Sequence, residues 1–99
     1  TDLMALHIIV DIVFDSAKRD ATLQERGLDF ARAAEVFAGR TFTQPDQRID
    51  YGEERFITAG RLDGRIVVIV WTWRGHARRI ISMRKANERE QARYESRLG

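Results

Sequence analysis

The sequence contains no cysteine, only two histidines and a single proline among its 99 residues. Without cysteine there is no disulfide, no thiolate nucleophile and no cysteine-based zinc site. The apolar runs are far too short to cross a bilayer, and the first residues lack the basic segment with which a signal peptide begins. We therefore expect a cytoplasmic protein with no membrane association.

The motifs of common catalytic and cofactor sites are also missing. There is no glycine-rich phosphate loop and no serine at a nucleophile elbow. His7 and His76 fall in different predicted elements, and the carboxylates show none of the spacings that metal sites require. We therefore expect neither a metal ion nor a cofactor.

The composition is that of a folded chain, with 43% hydrophobic and 32% charged residues. Its length predicts one domain that spans residues 1–99. Residues 1–47 hold five basic and eight acidic side chains, whereas residues 48–99 hold twelve basic and seven acidic ones. The second half is therefore the better candidate for a nucleic-acid surface. A solvated basic surface without a ligand is the alternative that charge alone leaves open.

The most basic segment runs from Trp73 to Lys85. It carries five Arg or Lys residues and no carboxylate, and it follows the apolar run Ile66–Val70. A basic hairpin that continues a buried strand presents its charge on a rigid support. Such a surface suits a polyanion such as RNA, because neutralising phosphates supplies much of the binding free energy.

The first half of the chain predicts a strand and two helices. His7–Val13 is rich in Ile and Val, which is typical of a strand. Asp15 is a candidate N-cap for a helix of about ten residues that ends at Gly27. A second helix is predicted over Phe30–Phe37, capped by Asp29, because its apolar residues repeat at helical spacing.

The second half predicts four strands and a last helix, namely Thr41–Thr43, Glu53–Leu62, Arg65–Arg74, Ala77–Met83 and a helix from Asn87 to about Arg97. Gln44-Pro45-Asp46 is expected to end the first of these strands. Asp63-Gly64 predicts a type I′ hairpin turn, and Asn87 with Glu90 resembles a capping box. The whole pattern predicts an α+β fold with an antiparallel sheet.

Metal-free RNA cleavage can be built from the residue types that are present. The ribose 2′-hydroxyl is the nucleophile, so the protein needs only to hold the phosphate, stabilise its added charge and move protons. Arginine performs the first two tasks, and Glu, Tyr or His performs the third. Trp71, Trp73 or Tyr51 would stack an unpaired base.

Strand alternation limits which side chains can act together. Trp71 and Trp73 share one face, and Trp71 is better explained as a core residue. Arg78 and Arg79 point to opposite faces, so only one of them lines a given site. Glu53 and Glu54, in the strand predicted over Glu53–Leu62, also face opposite ways, so only one of them joins Arg55 or Arg79 in a given cluster.

The two histidines have simpler explanations than catalysis. His76 lies at a predicted turn, where a histidine is more often solvated, and His7 at the start of a strand reads as structural.

Several ordered segments resemble the BrnT family, small RelE-like ribonuclease toxins of bacterial type II toxin–antitoxin modules. From about residue 7 onward, the matching segments are Phe14-Asp15-x-Ala17-Lys18, Gly27-Leu28-x-Phe30-x-x-Ala33-x-x-Val36-Phe37, Tyr51-Gly52-Glu53-Glu54-Arg55-Phe56, Gly60-Arg61, and Arg79-Ile80-Ile81-Ser82-x-Arg84-Lys85-Ala86 with Glu90 and Tyr94.

The resemblance implies a RelE-like fold, in which two N-terminal helices and one C-terminal helix pack on the sheet. It implies a metal-independent endoribonuclease that inhibits translation. It also implies a BrnA-like ribbon-helix-helix antitoxin, which would form a heterotetramer of two toxins and two antitoxins. That complex would bind operator DNA through the antitoxin.

The resemblance and the residue chemistry together give a set of candidate site residues. The catalytic candidates are Glu53, Glu54, Arg55, Arg79 and His76. The RNA-binding candidates are Arg26, Arg61, Trp73, Arg74, Arg84 and Lys85. Within this set, Arg79 and Arg84 are expected to form a wall that holds phosphates.

One segment departs from the family pattern. Where the family usually reads Lys-His-Gly at the end of the first helix, this chain has Glu25-Arg26-Gly27. An arginine is a poor general acid or base near neutral pH, so the chain is either less active or takes its acid from elsewhere, with His76 as the substitute. A binding module without catalysis, which uses the same basic sheet for nucleic acid or an acidic partner, is the second hypothesis.

Overall fold

The computed structural model describes residues 11–99. Its elements, in chain order, are β1 (Ile12–Phe14), α1 (Ser16–Arg26), a 3₁₀ turn (Phe30–Arg32), α2 (Ala33–Ala38), β2 (Thr41–Pro45), β3 (Phe56–Leu62), β4 (Arg65–Arg74), β5 (Ala77–Lys85) and α3 (Glu88–Leu98). None of these helices has the length and apolar character needed to span a bilayer. The predicted mixture of helices and strands is confirmed.

Local chemistry explains where most elements begin and end. The Asp15 side chain accepts a hydrogen bond from the Lys18 backbone N–H at 2.9 Å and so begins α1, and Gly27 closes it with φ 70°. Asp63 and Gly64 both have positive φ, at 52° and 77°, as a type I′ turn requires. The capping box at the start of α3 is complete. These predictions are confirmed.

The sheet has five strands in the order β1-β5-β4-β3-β2. The neighbouring pairs from β2 to β5 are antiparallel, but β1 runs parallel to β5, with Ile12 opposite Arg78. The predicted antiparallel pairing is therefore confirmed for β2 to β5 and wrong for β1. Hairpin turns force an antiparallel pairing, whereas the long connection from β1 to β5 allows a parallel one.

Several predicted boundaries are also wrong. β3 begins at Phe56 rather than at Glu53, so Glu53 and Glu54 lie in a loop and strand alternation does not govern where they point. The second helix is shorter, because its first turn is 3₁₀. β2 extends to Pro45, which is tolerated because β2 is an edge strand.

At the other end of the chain, β5 continues past Met83 to Lys85. His7 and the first part of the strand predicted over His7–Val13 lie outside the described residues.

The two faces of the sheet carry separate apolar cores. One, which we call the helix-pair face, packs against α2 and the segment before it, and includes Phe30, Val36, Ile69, Trp71 and Met83. The other, which we call the α3 face, includes Ile66, Val68, Tyr94 and Leu98. β4 is thus buried on both faces for much of its length, as its continuous apolar run predicts.

A bulge in β5 decides which of its side chains share a face. Val70 pairs with Ser82 while Trp71 pairs with Ile80, which leaves Ile81 as an extra residue. Arg79 pairs with Thr72, and Arg84 pairs with Val68. Because residues 68 and 72 lie on the same face of β4, Arg79 and Arg84 both lie on the α3 face.

The α3 helix packs on only one half of its face. Its buried residues contact Ala59, Ile66 and Val68, near the turn between β3 and β4. We call this half the β3–β4 end of the sheet. The opposite half, which we call the β4–β5 end, contains the start of β3, the end of β4 and the start of β5.

Candidate functional site

Glu53 joins two arginines at the β4–β5 end. Its Oε2 atom accepts a hydrogen bond from Arg55 Nε at 3.2 Å, and its Oε1 atom accepts one from Arg74 Nη1 at 3.2 Å. The hydrogen bond from Arg55, together with the charge of Arg74, lowers the pKa of Glu53 below its ordinary value. Glu53 is therefore ionised at neutral pH and holds two guanidinium groups side by side.

The loop that carries Glu53 is tied down by polar contacts. The buried carboxylate of Asp46 accepts hydrogen bonds from Arg48 Nε at 2.7 Å and Nη2 at 2.8 Å, which lower the pKa of Asp46. The Asp46 backbone N–H donates to the Arg55 carbonyl at 2.8 Å. Arg55 also stacks over Tyr51, 4.0 Å from the ring centre. An open depression of about 540 Å³ runs along this loop.

Arg79 lies at the same end of the sheet as this cluster. Its strand partner Thr72 donates a hydrogen bond to the Glu54 carbonyl at 2.6 Å, which ties the loop to β4. Arg74 is two residues beyond Thr72 on β4, so it shares the α3 face with Thr72 and Arg79. Among residues 11–99, no carboxylate forms an ion pair with Arg79.

The remaining catalytic candidates are close to the cluster in the chain. Glu54 is exposed, and only its backbone carbonyl is engaged among the contacts of residues 11–99. His76 is exposed in the two-residue turn after Arg74. The structure thus brings Glu53, Arg55, Arg74 and Arg79 to one end of the α3 face, with Glu54 and His76 at its border.

An aromatic cluster lies at this end on the opposite face. Trp71 is buried, at 4% exposure, while Trp73 is 44% exposed, as their positions in the strand predicted. Trp73 packs edge-on against Trp71 with ring centres 5.0 Å apart. Arg78 lies over both rings, and burial lowers its pKa.

Arg84 and Arg61 are used differently, because both contact α3. Arg84 donates to both carboxylate oxygens of Glu90, at 2.7 Å and 2.8 Å, and these bonds lower the pKa of Glu90 to about 2. Arg61 donates to Glu95 at 3.0 Å. Both arginines therefore attach α3 to the sheet at the β3–β4 end.

The expected phosphate-holding wall of Arg79 and Arg84 is therefore long, with the two arginines far apart along the sheet. Their partners on β4 are four residues apart, which corresponds to about 14 Å at roughly 3.4 Å per residue. The two guanidinium groups share a face, as the wall requires, but they lie at different ends of it and only Arg84 is paired with a carboxylate of the described residues.

Two further RNA-binding candidates lie away from the cluster. Arg26 donates to the Met83 carbonyl at 3.0 Å and so attaches the end of α1 to β5. Lys85 lines a cavity of about 420 Å³ near the β3–β4 turn, together with Leu23, Asp29 and Arg65. The structure does not bring Arg26 or Lys85 to the β4–β5 end.

Sequence reasoning missed two residues that shape this region. The resemblance favours Arg79 over Arg78, although Arg78 is the strand partner of Trp73, which shares a face of β4 with Trp71. The Phe37 ring that completes the environment of Arg78 comes from α2, and strand alternation gives no signal of it. Asp46 was treated as a strand breaker, and no sequence signal shows that it is buried against Arg48. Among residues 11–99, no three His, Asp or Glu side chains are grouped so that they hold a metal ion.

Comparison of the sequence with models of known protein families identifies the family of this chain. A model of the family described as ribonuclease toxin, BrnT, of the type II toxin–antitoxin system matches residues 14–90. The chain belongs to the BrnT family. The match includes the whole Glu53–Arg55–Arg74 cluster, Arg79 and the start of α3. A search of curated proteins gave no significant match.

Membership in the BrnT family confirms the predicted resemblance and its coarse consequences. The family is one of ribonuclease toxins, so RNA is the substrate class and an antitoxin is the partner class of this type II system.

Proposed function

We propose that this protein is a metal-independent endoribonuclease whose active site is the β4–β5 end of the α3 face. Arg55, Arg74 and Arg79 bind the scissile phosphate there. The observation that carries the proposal is the Glu53 carboxylate, which holds Arg55 and Arg74 together on the face that Arg79 shares. Three guanidinium groups in one place supply the positive charge that phosphoryl transfer requires.

The proposed reaction uses the RNA as its own nucleophile. The 2′-hydroxyl attacks the adjacent phosphorus, the bond to the 5′-oxygen breaks, and a 2′,3′-cyclic phosphate forms. Glu54 takes the proton from the 2′-hydroxyl, because its carboxylate is exposed and Glu53 is already engaged by two arginines. His76 gives a proton to the departing 5′-oxygen. Arg26, which stands where the family usually has a histidine, lies away from this end of the sheet, so we assign the general acid here to His76.

Cleavage of messenger RNA in the cytoplasm would inhibit translation. We further propose that the antitoxin is BrnA-like, with a ribbon-helix-helix part, and that two toxins and two antitoxins bind operator DNA together. A RelE-like architecture within a single domain of residues 1–99 is part of the same proposal. It is supported by the run of antiparallel strands with α2 and α3 on opposite faces.

The test is cleavage of a single-stranded RNA by the purified protein in the presence of EDTA. We expect products that end in a 2′,3′-cyclic phosphate and 5′-hydroxyl. The same RNA with 2′-O-methyl groups is the matched control and should stay intact. Cleavage that stops with EDTA and returns with a divalent cation would contradict metal independence.

The second candidate function is a binding module without catalysis. It is favoured by one observation, which is that the carboxylate best placed beside the arginines, Glu53, has a lowered pKa and is a weak base. Intact RNA after long incubation with protein that binds it tightly would support this alternative. Growth arrest on expression, and its relief by the antitoxin, would argue against it.

A further inference from the structure

Arg78 has an environment unlike that of the other arginines in the second half of the chain. Its guanidinium carbon lies 4.6 Å from the centre of the Phe37 ring, 5.0 Å from that of Trp71 and 4.9 Å from that of Trp73. Its Nε atom is buried and has no hydrogen-bond partner within the part of the chain that the structure describes. Among residues 11–99, no carboxylate is paired with it.

This arrangement contrasts with Arg55, Arg61, Arg74 and Arg84, each of which has a carboxylate partner. Partial burial of a cation without a counterion costs free energy, and stacking on aromatic rings offsets part of that cost. A guanidinium that packs against aromatic rings through its flat faces can still donate hydrogen bonds through the N–H groups at its edge. Such an edge matches the oxygens of a phosphate.

Trp73 provides a second element beside Arg78. Nearly half of its surface is exposed, and it is braced edge-on, at 88°, by the buried ring of Trp71. Trp71 is itself fixed, because its Nε1 donates to Thr58 Oγ1 at 2.8 Å and Phe56 stacks on it at 4.8 Å. A rigid exposed indole of this kind is a platform for an unpaired base.

We propose that Arg78 and Trp73 form a nucleotide subsite on the helix-pair face, where Arg78 binds a backbone phosphate and Trp73 stacks a base of the same RNA strand. The inference rests on the proposed function, because the RNA strand must already reach the β4–β5 end of the sheet. Arg78 and Arg79 are neighbours that point to opposite faces. An RNA strand that passes around the turn at Gly75 and His76 therefore contacts Arg79 on one face and Arg78 on the other.

The test measures binding of a 2′-O-methyl oligonucleotide by fluorescence anisotropy, so that cleavage does not enter. Arg78→Met removes the charge and keeps an apolar side chain of similar length, and Trp73→Ala removes the platform. We expect each change to weaken binding at least about fivefold. Arg65→Met is the matched control, because Arg65 is an exposed arginine at the start of β4, at the far end of the sheet, and it should bind like the wild type.

Salt dependence separates a phosphate contact from a general change in the protein. For single strands, each phosphate contact contributes about 0.7 to the slope of log affinity against log salt. Arg78→Met should lower the slope by about that amount, whereas Trp73→Ala should leave the slope unchanged. Unchanged affinity and slope in folded Arg78→Met protein would overturn the proposal. The proposal would also be overturned if Arg78→Met bound RNA as tightly as the wild type but bound the antitoxin more weakly. That result would assign Arg78 to the surface that binds the antitoxin.

A fluorescence measurement keeps the proposal testable if Arg78→Met does not fold. RNA should quench the tryptophan emission of the wild-type protein, and Trp73→Phe, which leaves only the buried Trp71, should remove the quenching. Emission that RNA does not alter would overturn the proposal. If RNA binding depends on Arg78 but the protein never cuts RNA, the subsite is supported and the proposed catalysis is wrong. If Arg78→Met and Trp73→Ala both cut RNA like the wild type, the catalysis is supported and the subsite is wrong.

Discussion

The two ends of the α3 face place arginines in different surroundings. At the β3–β4 end, Arg84 and Arg61 form ion pairs with Glu90 and Glu95 of α3, so their charge attaches a helix to the sheet. At the β4–β5 end, Arg55 and Arg74 share one glutamate, and Arg79 lies on the same face nearby. The comparison divides the basic surface read from sequence into arginines that pair with α3 and arginines at the other end that we propose bind a ligand.

The comparison predicts its largest effects at the β4–β5 end. Arg74→Ala or Arg79→Ala should slow RNA cleavage by roughly a hundredfold or more, because each removes positive charge directed at the transition state. Both variants should remain folded, since neither guanidinium supports a helix. The measurements are cleavage rate in EDTA, circular dichroism and growth arrest on expression. A toxic Arg79→Ala variant would show that Arg79 is not part of the site.

Glu53→Gln should have the next largest effect on activity. Glutamine keeps the size of the side chain but removes the charge that holds Arg55 and Arg74 together, so we expect a decrease of about tenfold in cleavage rate. The change should fall mainly in kcat. Glu54→Gln removes the proposed base and should lower the cleavage rate by about a hundredfold or more. If Glu53 itself accepts the proton, Glu53→Gln should lower the rate by a similar amount.

At the β3–β4 end the effects should appear in stability. Arg84→Ala removes two charge-assisted hydrogen bonds to the partly buried Glu90 and should lower the free energy of unfolding by about 1–2 kcal/mol. Urea unfolding measures this loss. The folded variant should cut RNA at a rate within about threefold of the wild type, in contrast to Arg74→Ala.

The same pair gives stability a defined pH dependence. The pKa of Glu90 is lowered from 4.5 to about 2 in the folded protein, so the folded state favours the ionised form. Its contribution is complete above pH 4.5 and is lost as the pH falls from there toward 2. Urea unfolding across this range should show a smaller pH dependence for Glu90→Gln than for the wild type, and equal curves would exclude the pair as the cause.

Arg61→Ala should have the smallest effect of all. Its ion pair with Glu95 is exposed at the surface, and such pairs contribute about 0–1 kcal/mol. The cleavage rate should not change measurably, and the free energy of unfolding should fall by no more than this amount. A large loss of RNA affinity in Arg61→Ala protein would mean that the binding surface extends over α3 and that the two ends are not distinct.

Features that depend on neighbours in the chain could be predicted from sequence. Asp15 acts through its side chain on the first turn of α1, and Gly27 and the Asp63-Gly64 turn act through their own backbone geometry, so their positions follow from residue type. The family segments likewise made Glu53 and Arg55 site candidates, and their roles stay a prediction. The contact of Glu53 with Arg74 depends on how the loop before β3 meets the end of β4, which no local pattern encodes.

Pairing between distant segments could not be predicted in the same way. Nothing in the three residues of β1 specifies a parallel partner, and alternation cannot show that Ile81 is a bulge residue. The bulge places Arg84 on the face of Arg79 despite an odd separation. Alternation did show that Arg78 and Arg79 diverge, but the Phe37 ring, which completes the environment of Arg78, comes from α2.

We propose that the arginines at the two ends of the α3 face have different roles, catalytic at the β4–β5 end and structural at the β3–β4 end. The most direct test compares Arg74→Ala with Arg84→Ala in one assay, with single-stranded RNA, EDTA and a temperature at which both variants are folded. We predict a loss of about a hundredfold or more for Arg74→Ala and at most about threefold for Arg84→Ala. Equal losses in the two variants, or wild-type cleavage by Arg74→Ala, would contradict the account.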